Sequence, residues 1–161
     1  MRRVDGCSLA ALREAEMTDG ELFKAITDEA PDAVVFADTK GVIRYWNRGA
    51  EEMFGWSAGD ALGQSMDMII PENLRARHWE GYDRVMAGGE SRYGRHELLK
   101  VPALRADGSR VSVEFTLQMA EHPEHGAIAV AVLRDASEAF AEMRDLRKRL
   151  AELEAKAASG T

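Results

Sequence analysis

The spacing of apolar positions changes repeatedly along the chain, and each change marks a predicted element. Leu22, Phe23 and Ile26 share one face of a helix that Asp19 can cap and that ends before Pro31. The runs AVVFAD and VIRYWN then flank a Thr39-Lys40-Gly41 turn. Rich in β-branched and aromatic residues, they predict a β-hairpin. Asn47 can cap a short helix whose apolar face is Ala50, Met53 and Phe54 and whose stop is Gly55. Trp56-Ser57 opens a further helical turn around Ala61-Leu62. Beyond Pro71 the pattern predicts a long helix over 72–87, closed by Gly88-Gly89.

The period then returns to two. LLKVPAL precedes an Asp107-Gly108 turn, after which Val111, Val113, Phe115, Leu117 and Met119 alternate with Ser112, Glu114, Thr116 and Gln118, so one face of this strand is buried. A second turn over 122–126 leads into AIAVAVL, where Ile128, Val130 and Val132 share one face and alanines the other. Two strands, several helices and three strands predict an α+β fold. Its five-stranded antiparallel sheet carries the helices on one face, with a pocket between the two layers.

From Ala136 onward Ala139, Met143, Leu146, Leu150, Leu153 and Ala157 alternate spacings of three and four, a heptad seam with Met143 at an a position. In that register Glu142 and Arg149 are g residues and Arg147 and Glu154 are e residues. A parallel homodimer sets Glu142 against Arg147 and Arg149 against Glu154 of the second copy.

Composition narrows the function classes. A chain of 161 residues, 45% hydrophobic and 30% charged, has room for one domain with a core and a modest extension. Its net charge of −7, from 21 basic and 28 acidic residues, argues against nucleic-acid binding. Cys7 is the sole cysteine, so there is no intrachain disulfide and no cysteine metal cluster, which suits a reducing compartment. No apolar run nears the ~18 residues a bilayer requires, and Met1-Arg2-Arg3 lacks a following apolar core. The expectation is a soluble, cytoplasmic chain away from the membrane. No nucleotide-binding glycine loop, serine elbow, kinase or cyclase motif is present, and the four histidines lack zinc-protease spacing, so no enzyme is expected.

Over 22–138 these features in combination resemble the PAS superfamily. The residues that carry the likeness are APDAVVFADTKGVIRYWNRGAEEMFGW, the strand pair around RADGSRVSVEFTL, and the closing LRDASE. The resemblance implies a sensor domain over 19–135, an N-terminal flanking helix or tail over 1–18, and a coiled-coil helix and tail over 136–161. Within the superfamily, IPENLRARHWEGYDR looks like the haem-bearing helix of FixL-type and DosP-type gas sensors, with His78 at the iron-ligand position.

Periodicity supports this separately, since Leu74, His78, Tyr82 and Val85 fall on one helix face and a neutral imidazole is a good ligand for haem iron. Gly81, costly to a helix by ~1 kcal/mol, would let a flat macrocycle approach the backbone. FixL-type domains carry a tyrosine three residues after the ligand, where this chain has Gly81 followed by Tyr82. The resemblance also implies Arg84 as a propionate partner and Phe115 and Leu117 as distal apolar contacts, with Ile128 and Val130 completing that wall. His96 is a candidate second axial ligand, donor to bound O₂, or surface histidine, and Arg95 is the competing donor.

The implied function is a haem b sensor of O₂, CO, NO or iron redox state that signals through the coiled-coil dimer to an effector such as a histidine kinase. Two alternatives stand beside it: a haem-free PAS interaction and dimerisation module holding a small metabolite, and a redox PAS domain binding FAD. Trp46, Trp56 and Trp79 could stack on a flavin, although core packing explains large aromatics as well. The cysteine motif of flavin-adduct photosensors is missing near the pocket. His122 and His125 read as a solvated turn.

Overall fold

The computed structural model describes residues 17–88 and 97–159. The first helix, α1 (Asp19–Asp28), is capped by Thr18 rather than Asp19. Thr18 Oγ1 accepts from Glu21 N while the Glu21 carboxylate accepts from Thr18 N, a closed capping box that satisfies two free donors at once. Strands β1 (Ala33–Asp38) and β2 (Ile43–Trp46) form the expected antiparallel hairpin. Gly41 takes the left-handed conformation (φ 70°) in its turn, where a residue with a side chain is disfavoured.

Asn47 caps α2 (Arg48–Phe54) and does more than sequence suggests. Its Oδ1 accepts from Ala50 N and Val34 N, while its Nδ2 donates to the carbonyls of Thr27, Ala30 and Asp32. One buried amide thus ties the end of α1, the entry to β1 and the start of α2. The approach is close: a Cβ on Gly49 would collide with the Asp32 carbonyl. Helix α3 (Ala58–Ala61), a 3₁₀ turn (Met66–Met68) and α4 (Glu72–Gly88) complete the helical layer.

Strands β3 (Leu99–Leu104), β4 (Arg110–His122) and β5 (Gly126–Asp135) then build a five-stranded antiparallel sheet in the order β2-β1-β5-β4-β3. Pro102 sits in β3, an edge strand, where a missing N–H is tolerated. The inner face carries Ala33, Val35 and Ala37 of β1, Val111 to Met119 at alternate positions of β4, and Ala129, Ala131 and Leu133 of β5.

This phase corrects the expectation for β5. Ile128 and Val130 belong to the opposite face, where Val130 lines a groove with Phe23, Val34, Phe36 and Tyr45. They therefore stand away from the space between α4 and the sheet. A run with apolar residues on both faces shows the alternation but not which set faces inward, and here the set that includes Ala129 and Ala131 lies under the helices, while Val132 on the other face is exposed.

At the domain exit, Arg134 makes a two-pronged ion pair with Asp32 (3.0 and 2.6 Å), clasping the end of β5 to the entry of β1. Ser112 O accepts from Ala136 N and Ser112 N donates to Ser137 Oγ, which anchors the start of α5 (Ser137–Ser159) on β4. Beyond that anchor Met143, Leu146, Leu150 and Leu153 are all at least half exposed, an apolar stripe along one helix face.

Candidate functional site

Two structural clusters divide the space between helices and sheet. The larger gathers Phe54, Ile43, Trp46, Val111 and Val113 beneath α2. The smaller lies beneath α4, where Ala37, Ala129 and Tyr82 are buried and Met66, Trp79, Met86, Leu117 and Met119 pack around them. His78 projects from α4 beside this second cluster, its ring 5.7 Å from that of Tyr82 and 4.9 Å, edge-on, from that of Trp79.

The geometry of α4 follows from local bonds. Arg75 donates to the carbonyls of Asp67 and Ile70, holding the first turn against the 3₁₀ segment. Trp79 Nε1 donates to Asp67 Oδ1 (2.8 Å) one turn later. Tyr82 Oη donates to the Asp38 carbonyl (2.6 Å), and its burial pushes the phenol pKa upward, so it remains a donor. Asp38 itself ends β1: burial raises its pKa, but bonds from Arg44 and the N–H groups of Val42 and Lys40 outweigh that and leave it below the ordinary value. Val85 is buried one turn beyond Tyr82, and Leu74 and His78 are half-buried.

His78 Nδ1 is buried and has no hydrogen-bond partner, in contrast to the polar groups around it. Burial lowers the imidazole pKa, against an opposing pull from the Asp67 charge. The ring is therefore held neutral at pH 7 with a nitrogen lone pair available, the state in which imidazole binds a metal. A Cβ placed on Gly81 would meet open space, so no packing within the chain requires a glycine there. Among the described residues no group of three or more His, Cys, Asp or Glu side chains is arranged to hold a metal ion.

Phe115 and Leu117 lie on the inner face of β4, Phe115 against the larger cluster and Leu117 against the smaller. Arg84 is exposed and paired with Glu80 at 2.9 Å. Arg95 and His96 lie outside the described residues. Trp46 and Trp56 belong to the larger cluster rather than the His78 side, and Trp46 Nε1 donates to the Trp56 carbonyl. His122 and His125 stack at 4.6 Å in the β4–β5 turn, with His122 Nδ1 accepting from Glu124 N.

Sequence reasoning missed Asp67 and the gathering of Met66, Met86 and Met119 around Tyr82. The alternation of β4 puts Met119 on its buried face without placing it beside Tyr82, and Met66, in the 3₁₀ segment, has no period to follow. No helix of the described residues is long and apolar enough to cross a membrane.

A family model for the PAS fold matches residues 27–140. An uncharacterized protein of Azorhizobium caulinodans is 37% identical over 127 residues, 78% of this chain and 17% of that protein. The oxygen sensor protein DosP of Escherichia coli is 29% identical over 131 residues, 81% of this chain and 16% of that protein. The chain thus spans only about a sixth of the length of these relatives. Among solved structures, the PAS domain of a Colwellia psychrerythraea protein superposes with a TM-score of 0.59 at 21% identity, over 73% of this chain and 97% of that one.

Proposed function

The chain belongs to the PAS fold family, and from that premise we propose that it is a haem-binding sensor domain in which His78 is the iron ligand. One observation carries this reading: a half-buried imidazole on α4, held neutral, whose Nδ1 is buried and meets no partner in its own chain. A buried polar atom left unmatched costs about 1–3 kcal/mol, and such groups persist where function uses them. The likeness to the oxygen sensor protein DosP points the same way.

Haem, when bound, supplies an iron that takes a diatomic gas or changes oxidation state. His78 would hold the iron, Tyr82 and Val85 would line the α4 side, and Leu117 with Phe115 the strand side. Met66, Met86 and Met119 are flexible side chains that can repack around a flat ligand. Arg84 would exchange Glu80 for a propionate. A gas such as O₂, CO or NO is the proposed signal.

The output would leave through β4 and β5, whose ends hold the first turn of α5 by the Ser112 bonds. The stripe from Met143 to Leu153 suits a parallel homodimer, and an effector such as a histidine kinase would read its geometry. We assign the sensor unit to 19–135 and the dimerising helix with its tail to 136–161.

The visible spectrum of protein produced with haem supply tests the proposal. A Soret band that His78→Ala removes supports it. A colourless wild type overturns it in favour of a haem-free module, and blue-light absorption by FAD would favour the flavin reading. Sedimentation equilibrium of the wild type and of Leu150→Asp tests the dimer: a monomeric wild type overturns that part alone.

A further inference from the structure

The residue beside His78 makes contacts that its position in the sequence does not suggest. Trp79 reaches across to the β1–β2 turn, where the far ring of its indole occupies the space that a Cβ on Gly41 would fill. Its Nε1 is bonded to Asp67 Oδ1 on the 3₁₀ segment. Its ring also meets His78 and Tyr82 edge-on, at 4.9 and 5.5 Å. One indole therefore joins two separate pieces of chain, the β1–β2 turn and the 3₁₀ segment, to the helix that carries His78.

A helix lying on a floor of small residues has little to resist its turning about its own axis. Ala37 and Ala129 form the buried centre of that floor, with Leu117 and Met119 of β4 at its edge. Arg75 holds the first turn of α4 and Tyr82 holds the sheet side, but neither adjoins the imidazole in sequence. Trp79 does, and a ring fixed at both ends resists rotation in either direction.

We propose that Trp79 is the positioning residue of this site: seated on Gly41 and bonded to Asp67, it sets the rotation of α4 and so the direction of the His78 imidazole. Its consequence for sensing rests on the reading of His78 as the iron ligand. The placement of the imidazole does not, and can be measured in the chain without haem.

The experiment reads the rate at which diethyl pyrocarbonate modifies His78, followed peptide by peptide in the mass spectrometer at pH about 8, where imidazoles are neutral. Trp79→Phe and Asp67→Ala each remove the indole bond and raise the rate about fivefold or more. Asp67→Asn keeps an acceptor oxygen and stays within about twofold of the wild type. Gly41→Ala raises the rate in the wild type but adds nothing in the Trp79→Phe background, because the strain of φ 70° is common to both arms and cancels in the cycle.

Val85→Ala, a truncation of a buried residue on the same helix away from the clamp, is the control for general loosening. If it raises the rate equally at a matched loss of melting temperature, if Asp67→Asn behaves as Asp67→Ala, or if the Gly41→Ala effect persists in full beside Trp79→Phe, the proposal is overturned. A wild type that takes up no haem overturns the haem reading and leaves this result standing.

Discussion

The inner face of the sheet supports two unlike halves. Under α2 the cluster around Phe54 is completely enclosed, and the amide beside it, Asn47, has both ends satisfied by five bonds. Under α4 the floor is alanine, the fillers are methionines, and an imidazole nitrogen is buried without a partner. The first half has the features of a region that keeps the domain folded, with apolar volume filled and the Asn47 amide fully matched, although Trp56 Nε1 at its edge is buried without a partner. The second has an unmatched group and pliable neighbours, which suits a region that receives something. A small domain can hold both because the first supplies the stability that the second gives up.

Substitutions test that division, beginning where the largest loss is expected. Phe54→Ala empties a fully buried aromatic site and should cost about 3–5 kcal/mol of unfolding free energy by urea titration. A loss below about 1 kcal/mol would mean that the α2 half is not the stabilising one. Asn47→Ala should follow at about 2–4 kcal/mol, since it strips an N-cap and strands buried backbone groups on three segments. Tyr82→Phe, in the α4 half, keeps the ring and loses one bond to Asp38, so about 1 kcal/mol is expected.

The smallest effect is a dependence on pH. The folded-state pKa of His78 lies below the ordinary 6.5 because burial disfavours the charged ring. Above 6.5 both folded and unfolded chains hold it neutral, and it contributes no slope. As pH falls below 6.5 the unfolded chain takes up the proton first, so stability should decline until the folded-state pKa is passed. His78→Phe should flatten that part of the curve in haem-free protein, and an unchanged slope would show that the α4 half does not bury its imidazole.

Much of this was legible in the sequence. The α+β order, the β1–β2 hairpin, the Asn47 cap, the length of α4 and the alternation of β4 follow from period and turn chemistry, which act over a few residues. His78, Tyr82 and Val85 could be placed on one face for the same reason. What escaped depended on contacts between distant segments. The five bonds of Asn47 join residues up to 20 positions apart, Trp79 meets Gly41 across the fold, and the inward set of β5 was decided by the helices rather than by the strand. The Thr18 cap was a nearer miss, since Asp19 offered an equally good side chain one residue later.

The Arg134–Asp32 clasp has a consequence for the architecture of longer proteins. Because it brings the entry of β1 and the end of β5 together, a polypeptide running into β1 and out of β5 departs close to where it arrived. Such a unit can be threaded into a much longer chain, or repeated along it, without forcing neighbouring parts to change their separation. The relatives, about six times the length matched here, are the kind of protein in which that matters.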